Sequence, residues 1–302
     1  MRQYIDEIAR LKKERNAVIL SHLYQPGEIQ EIADYVGDSL GLAQQAAETD
    51  AAVIVSCGVR FMAETASILS PDKIVLIPDI AAGCPMADMV TEETLRKKKE
   101  ELPDAIVVCY VNTTAGVKAL CDIACTSANA EAVIRSLPAD KPILFVPDKN
   151  LGRNISNKTG REMILWDGCC SIHDELTPDQ VTTAKAAYPE ALVLVHPECR
   201  PEVIALADVV SSTTGMIKYA TDSSANTFII GTEMGILHPL LKACPKKEFH
   251  FASTEMICQD MKKTTLEKVS QVLKNMAPRI EVPQNIRENA VRCLDNMLAV
   301  KQ

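Results

Sequence analysis

Val18-Ile19-Leu20-Ser21-His22-Leu23-Tyr24, Ile106-Val107-Val108-Cys109-Tyr110-Val111-Asn112 and Leu192-Val193-Leu194-Val195-His196-Pro197-Glu198 are three versions of one stretch, beginning 88 and 86 residues apart. Each opens on three apolar residues of the kind that fills a buried strand. Each then runs on to a polar pair at alternate positions: His22 and Tyr24, Tyr110 and Asn112, His196 and Glu198. A charged helical stretch and a short turn precede every copy, as KKERNA, EELPDA and AYPEA. Self-similarity at a fixed period is the signature of a repeated structural unit, here with a period longer than a solenoid's.

Carrying the register outward extends the match. An Asp follows in each copy (Asp34, Asp122, Asp208), and five residues later come Ser39, Ser127 and Thr213, opening the helical stretches SLGLAQQAAE, SANAEAVIRSL and TTGMIKYAT. A second apolar run follows (AAVIVSCG, KPILFVPD, NTFIIGTE), then a third (DKIVLIPD, REMILWDG, KEFHFAST), and each unit closes on a cysteine: Cys84, Cys170 and Cys258. Short β-branched runs alternating with helical segments predict βαβ units on parallel sheets. The expected fold is therefore α/β, with three pseudo-equivalent αβα units around a pseudo-threefold axis, each holding a small four-stranded parallel sheet. The units are expected at 16–103, 104–189 and 190–275, with 1–15 and 276–302 as terminal helical segments packed on them. EETLRKKKEE, PDQVTTAKAA and TTLEKVSQVL are expected to link or close the units, and no low-complexity linker separates them.

The bulk numbers bound the function. A chain of 302 residues, 47% hydrophobic and 24% charged, has ordinary globular composition. A formal net charge of −8 argues against nucleic acid or an anionic membrane as partner. Aromatics at 4% argue against stacking platforms for single strands. Residues 1–15 read as an amphipathic charged helix rather than a signal peptide, and no apolar run approaches the roughly 18 residues of a membrane span. The protein is expected to be soluble and cytoplasmic. Eleven cysteines are many for such a chain; there they serve as buried small hydrophobes, metal ligands or catalytic thiols more often than as disulfides.

Strand ends and helix starts share the carboxyl edge at which open α/β sheets bind ligands. Ser39, Ser127 and Thr213 read as N-caps whose hydroxyls satisfy free backbone N–H groups. Three helix N-termini aimed at one axis would also give an acidic protein the positive field that an anion requires. Taken singly, His22, Tyr110 and His196 are strand-end residues with ordinary hydrogen bonds; their shared register with Tyr24, Asn112 and Glu198 reads as a site. His and Glu exchange protons near neutral pH when their surroundings tune them, whereas Asn112 can only bind or orient. One cysteine from each unit suggests a shared ligand: zinc with a fourth donor, or a [4Fe–4S] cluster held at three irons, its fourth open as a Lewis acid. Cys57, Cys109, Cys121, Cys125 and Cys199 lie in or beside β runs and read as structural, as do Cys244 and Cys293, which break the repeat. Cys169 adjoins Cys170, and the spacing favours Cys170.

At these residues the chain closely resembles the quinolinate synthase family, nearly end to end. GDSLGLAQQA, GVRFMAETASILSPDK, YVNTTAGVKA, DIACTSANA, PDKNLGR, HPEC, GTEMGILH and CQDMKKTTLEKV carry the resemblance. It implies a pseudo-threefold array of αβα domains. It implies an enzyme of NAD biosynthesis that condenses iminoaspartate with dihydroxyacetone phosphate to quinolinate, releasing phosphate and water. It implies one [4Fe–4S] cluster per chain on Cys84, Cys170 and Cys258, with one open iron assisting dehydration. The positions matching the family's substrate site are His22, Ser39, Tyr110, Val111, Asn112, Ser127, His196, Pro197, Glu198 and Thr213, with Tyr24 and His173 nearby. Glu198, with Tyr24 or Tyr110, is expected to move protons, and His196 to bind and polarise. A transient L-aspartate oxidase or dehydrogenase is the expected source of iminoaspartate. Two departures stand out: Cys258 is alone in STEMICQDM, so no disulfide switch is expected there, and the loop SHLYQPGE differs from the family pattern after Tyr24.

Two other functions use the same residues. A zinc-dependent lyase or hydrolase would employ the three cysteines without sulfide. A non-catalytic iron–sulfur sensor would bind a dicarboxylate and have no need of a proton carrier such as Glu198.

Overall fold

The computed structural model describes residues 1–300, so the last two residues of the expected 276–302 segment lie outside the described residues. It holds three four-stranded sheets, every strand pair parallel. The first contains β1 (Ala17–His22), β2 (Tyr35–Gly37), β3 (Val53–Cys57) and β4 (Ile74–Leu76). The second contains β5 (Ile106–Tyr110), β6 (Ile123–Cys125), β7 (Ile143–Val146) and β8 (Ile164–Leu165). The third contains β9 (Leu192–Val195), β10 (Val209–Val210), β11 (Thr227–Gly231) and β12 (Glu248–Phe251). All three share one order, with the second strand outside the first and the third and fourth following on its other side. The chain reverses direction across each sheet between its first and third strands, a switch point of the kind that opens a ligand crevice at the carboxyl edge. The α/β fold read from the sequence, three αβα units each with a parallel sheet, is the fold observed.

The second and third residues of each apolar triplet are buried because helices cover both sheet faces. On the first sheet, Ile19, Val53 and Val55 pack under Ile8 and Leu11 of the helix Arg2–Arg15 and under Val269, Val272 and Leu273 of the helix Leu266–Asn275. The first helix of the chain and the helix at the end of the 190–275 stretch thus close one face together. The last helix, Gln284–Ala299, buries Ala290, Cys293, Leu294 and Met297 in the core of the second unit. Each fully buried aliphatic side chain contributes about 1.5–3 kcal/mol, so the helices Leu266–Asn275 and Gln284–Ala299 do much to hold the units to one another.

The repeated aspartates prove to be structural. Asp34 accepts from the Ile19 N–H, Asp122 from Val107 and Asp208 from Val193, each at 2.8 Å. Their own N–H groups donate back to the same three residues' carbonyls at 2.9 Å. The carboxylate extends the strand pairing by one bond where the ladder has no further residue. Asp122→Ala leaves the Val107 N–H without a partner and should cost about 1–3 kcal/mol, read as a lower urea midpoint at unchanged slope. Asp122→Asn keeps an acceptor and should recover most of the loss.

Candidate active site

The carboxyl ends of the three sheets converge on one cavity of about 280 Å³. His22, Tyr24, Ser39 and Cys84 reach it from the first unit. Tyr110, Asn112, Ser127, Cys170 and His173 come from the second, and His196, Glu198, Thr213 and Cys258 from the third. Val111 and Pro197 are not among its lining residues. Val111 is buried beneath, its carbonyl accepting from the Lys118 Nζ at 2.7 Å, and the Pro197 carbonyl accepts from Asn154 Nδ2 at 2.8 Å.

Ser39, Ser127 and Thr213 are not the N-caps expected of them. The caps are the residues before: Asp38 accepts from the Gly41 N–H at 3.0 Å and Ser212 from Gly215 at 3.2 Å. Capping requires the last residue of extended backbone, and Asp38 (ψ 178°) and Ser212 (ψ 167°) hold that conformation. Ser39 and Thr213 are therefore the first helical residues of Ser39–Glu48 and Thr213–Asp222. In the second unit the Thr126 hydroxyl accepts from the Ala128 N–H at 3.2 Å, and Ser127 stands ahead of the later helix Ala130–Ser136. All three residues line the cavity, with capping left to their neighbours.

A chain of polar contacts crosses the cavity and joins all three units. Tyr24 Oη lies 2.6 Å from Thr232 Oγ1, which lies 2.9 Å from His173 Nε2. His173 Nδ1 lies 2.7 Å from Glu198 Oε2 and is hydrogen-bonded with Cys170 Sγ at 3.3 Å, and Tyr110 Oη donates to Glu198 Oε1 at 2.5 Å. Thr232 escaped the reading of the sequence; it follows β11 in GTEMGILH, but the register of the repeat gives it no polar counterpart to mark it.

The alternation His-x-Tyr and His-x-Glu now has a cause. The Tyr24 N–H donates to His22 Nδ1 at 3.1 Å, and the Glu198 N–H to His196 Nδ1 at 3.4 Å. Each imidazole accepts at Nδ1, which leaves Nε2 as the protonated donor. Burial pushes both histidines down to about 3, against the pull of Glu198, so both are neutral donors near pH 7. Burial and then the charge of Glu198 push Tyr24 and Tyr110 well above the usual tyrosine range. Burial alone would raise Glu198; His173 and His196 outweigh it and hold the carboxyl well below its usual range.

The Tyr24 loop is pinned from the third unit. A Cβ on Gly235 would lie 2.6 Å from the Tyr24 carbonyl oxygen, so this close approach requires glycine. Lys262 Nζ donates to that carbonyl at 2.5 Å, and Gln30 Nε2 donates to the Leu23 and Gln25 carbonyls at 3.0 and 2.9 Å. These contacts fix the segment SHLYQPGE.

Cys84, Cys170 and Cys258 line the same cavity, one from each unit. Burial pushes the Cys84 thiol up to about 12, and it also raises Cys170 and Cys258. Three thiolates in so dry a place need a cationic partner, and three converging soft sulfur donors suit iron or zinc. Cys170 Sγ, a His173 ring nitrogen and a Glu198 carboxylate oxygen also lie within 4.8 Å of one another, a set able to hold one ion. Cys169 is not among the lining residues. Cys57, Cys109, Cys121, Cys125, Cys199, Cys244 and Cys293 are buried in the units. No helix among the described residues is long and apolar enough to cross a membrane.

Comparison with known proteins agrees with this geometry. The family profile described as Quinolinate synthetase A protein matches residues 6–299. A quinolinate synthase from Desulforudis audaxviator is 56% identical over 298 residues, 99% of this chain and 98% of the relative. The quinolinate synthase of Methanoregula boonei is 55% identical, covering 98% of this chain and 97% of the relative. That of Methanosarcina barkeri is 52% identical, with 99% and 98% covered.

Proposed function

The chain belongs to the quinolinate synthetase A family, and on that premise we propose that this enzyme condenses iminoaspartate with dihydroxyacetone phosphate to quinolinate. Phosphate and water leave in the course of the reaction. The observation that carries the reading is the convergence, in one cavity, of three cysteines from three units with the Tyr24–Thr232–His173–Glu198–Tyr110 chain of polar contacts.

The lining suits an anion bound without a cationic side chain. Among the described residues that line the cavity there is no Lys or Arg. Recognition would fall to the His22 and His196 Nε2–H donors, the hydroxyls of Ser39, Ser127 and Thr213, and the starts of the two ten-residue helices that Ser39 and Thr213 open. Asn112 Oδ1 is buried with no hydrogen-bond partner, an acceptor awaiting a donor such as a substrate amine or hydroxyl. Glu198, joined to Tyr110 on one oxygen and His173 on the other, is placed to take a proton and pass it along the chain. His196 binds and polarises.

Cys84, Cys170 and Cys258 would hold a [4Fe–4S] cluster at three of its irons. When bound, that group supplies a Lewis acid for the dehydration. Iminoaspartate, which hydrolyses readily, would come from an L-aspartate oxidase or dehydrogenase nearby, and the reaction would take place in the cytoplasm.

One observation favours a second reading, a single-ion zinc site on Cys170, His173 and Glu198. Iron and acid-labile sulfide in anaerobically purified protein separate the two. About four of each per chain, lost in Cys84→Ala, Cys170→Ala and Cys258→Ala alike, together with quinolinate formation by the parent, is the expected result. Zinc without sulfide, or a cluster indifferent to Cys84 and Cys258, would overturn the assignment.

A further inference from the structure

Each ligand cysteine is delivered by the same main-chain device. The residue that opens the segment after the third strand of a sheet donates its N–H to the carbonyl two residues before the cysteine. Arg60 donates to Ala82 at 2.8 Å, Lys149 to Gly168 at 2.8 Å and Met234 to Met256 at 2.9 Å. The residue just before each donor is therefore equivalent in the three units: Val59, Asp148 and Glu233. Two of these are carboxylates with no exposed surface, and both do the same two things. Asp148 Oδ1 accepts from the Leu151 N–H at 2.8 Å and Oδ2 from the Cys170 N–H at 3.2 Å. Glu233 Oε2 accepts from the Gly235 N–H at 2.7 Å and Oε1 from the Cys258 N–H at 3.1 Å. Glu233 Oε1 is also 2.8 Å from the Lys262 Nζ.

One oxygen of each carboxylate starts the segment that follows the strand, and the other fixes the backbone of a ligand cysteine. Gly168 makes the second clasp possible, since a Cβ there would meet the Pro147 carbonyl oxygen at 2.6 Å. The first unit has Val59 at this position and is served from outside: Asp260 Oδ1 of the third unit accepts from the Gly83 N–H at 3.0 Å, next to Cys84.

Resting on the iron–sulfur reading above, we propose that Asp148 and Glu233 are positioning residues that hold Cys170 and Cys258 ready for the cluster, with Asp260 acting across units on the Cys84 loop. Partners that orient metal ligands are worth about 10–100-fold in metal affinity or activity. Carboxylates suit the task because their two oxygens can accept from two N–H groups at once.

The test separates the clasp from the cap. Asp148→Ser keeps a hydroxyl able to accept from Leu151, as serine does at other N-caps, and loses the oxygen that holds Cys170. Cluster-loaded protein is challenged with a ferrous chelator, and iron release is followed together with the electron paramagnetic resonance spectrum of the reduced cluster. Expected are release about 10–100-fold faster than from the parent, an altered spectrum, and a melting temperature of the metal-free protein close to the parent's. Glu233→Gln, which keeps one acceptor oxygen, is the second variant should Asp148→Ser fail to fold, and the same faster release is expected of it. Release at the parent's rate from the folded variants overturns this proposal alone. A parent without iron and sulfide overturns it together with the proposed function.

Discussion

Glu198→Gln is expected to lower turnover about 10²–10⁴-fold, the usual range for a positioned acid or base, while iron and sulfide content stay at the parent's level. The substitution is nearly isosteric: the amide oxygen still accepts from the Tyr110 hydroxyl, while the amide nitrogen faces His173 Nδ1 and cannot take a proton. The carboxylate now stands only 3% exposed between the two rings that hold its proton affinity down. A dicarboxylate in the cavity changes that balance. Its negative charge opposes the ionised form of Glu198 and raises the proton affinity toward the range useful to a base. The loss should therefore fall on kcat more than on KM, because substrate recognition lies mainly with the histidines and hydroxyls. Product formation by cluster-loaded enzyme at saturating substrate measures it. Full turnover would remove Glu198 from proton transfer and leave Tyr24 and Tyr110 as the carriers; a lost cluster would show instead that its role is to support Cys170 through His173.

How much of this could be read in the chain beforehand depended on whether a position repeats. The strands, their parallel pairing and the cavity's three-way construction were legible because the apolar triplets and the cysteines recur at nearly the same spacing, and backbone pairing makes equivalent positions fall at equivalent places. The repeated Asp34, Asp122 and Asp208 were visible too, yet repetition alone does not separate a site from a structural bracket, and they bracket strands on the side away from the cavity. In the first and third units the cap stands one residue earlier, at Asp38 and Ser212, since a capping side chain and a cavity-lining hydroxyl residue can be adjacent. Thr232 and the clasping pair Asp148 and Glu233 were not singled out. Thr232 serves only one unit, and the carboxylate position is broken in the first unit by Val59. What a chain of hydrogen bonds across three units requires is set by tertiary packing, and no local pattern announces it.

Acidifying the metal-free protein from pH 6.5 to 4.5 should remove roughly 5 kcal/mol of stability through two histidines alone. His22 and His196 are pushed down to about 3 in the folded chain, while in the unfolded chain they titrate near 6.5. Between those values the unfolded state binds more protons, so stability rises with pH. The contribution is complete above about pH 6.5 and is lost progressively as pH falls toward 3, at about 1.4 kcal/mol per unit for each group. Asp148 acts in the opposite sense: burial, then Glu198, push its carboxyl well up, so it favours the folded state as pH falls and offsets part of one histidine. Urea midpoints at pH 6.5, 5.5 and 4.5, compared between the parent and a His22→Gln/His196→Gln double variant, isolate the histidine share. Glutamine still offers an acceptor to the Tyr24 and Glu198 N–H groups but has no proton to gain. The variant's stability should therefore fall less steeply, by nearly two protons' worth of slope. Parallel slopes in the two proteins would mean that the folded state protonates these rings after all. The anion site would then rest on imidazolium charge rather than on the neutral Nε2–H donors inferred from the two backbone N–H bonds to Nδ1.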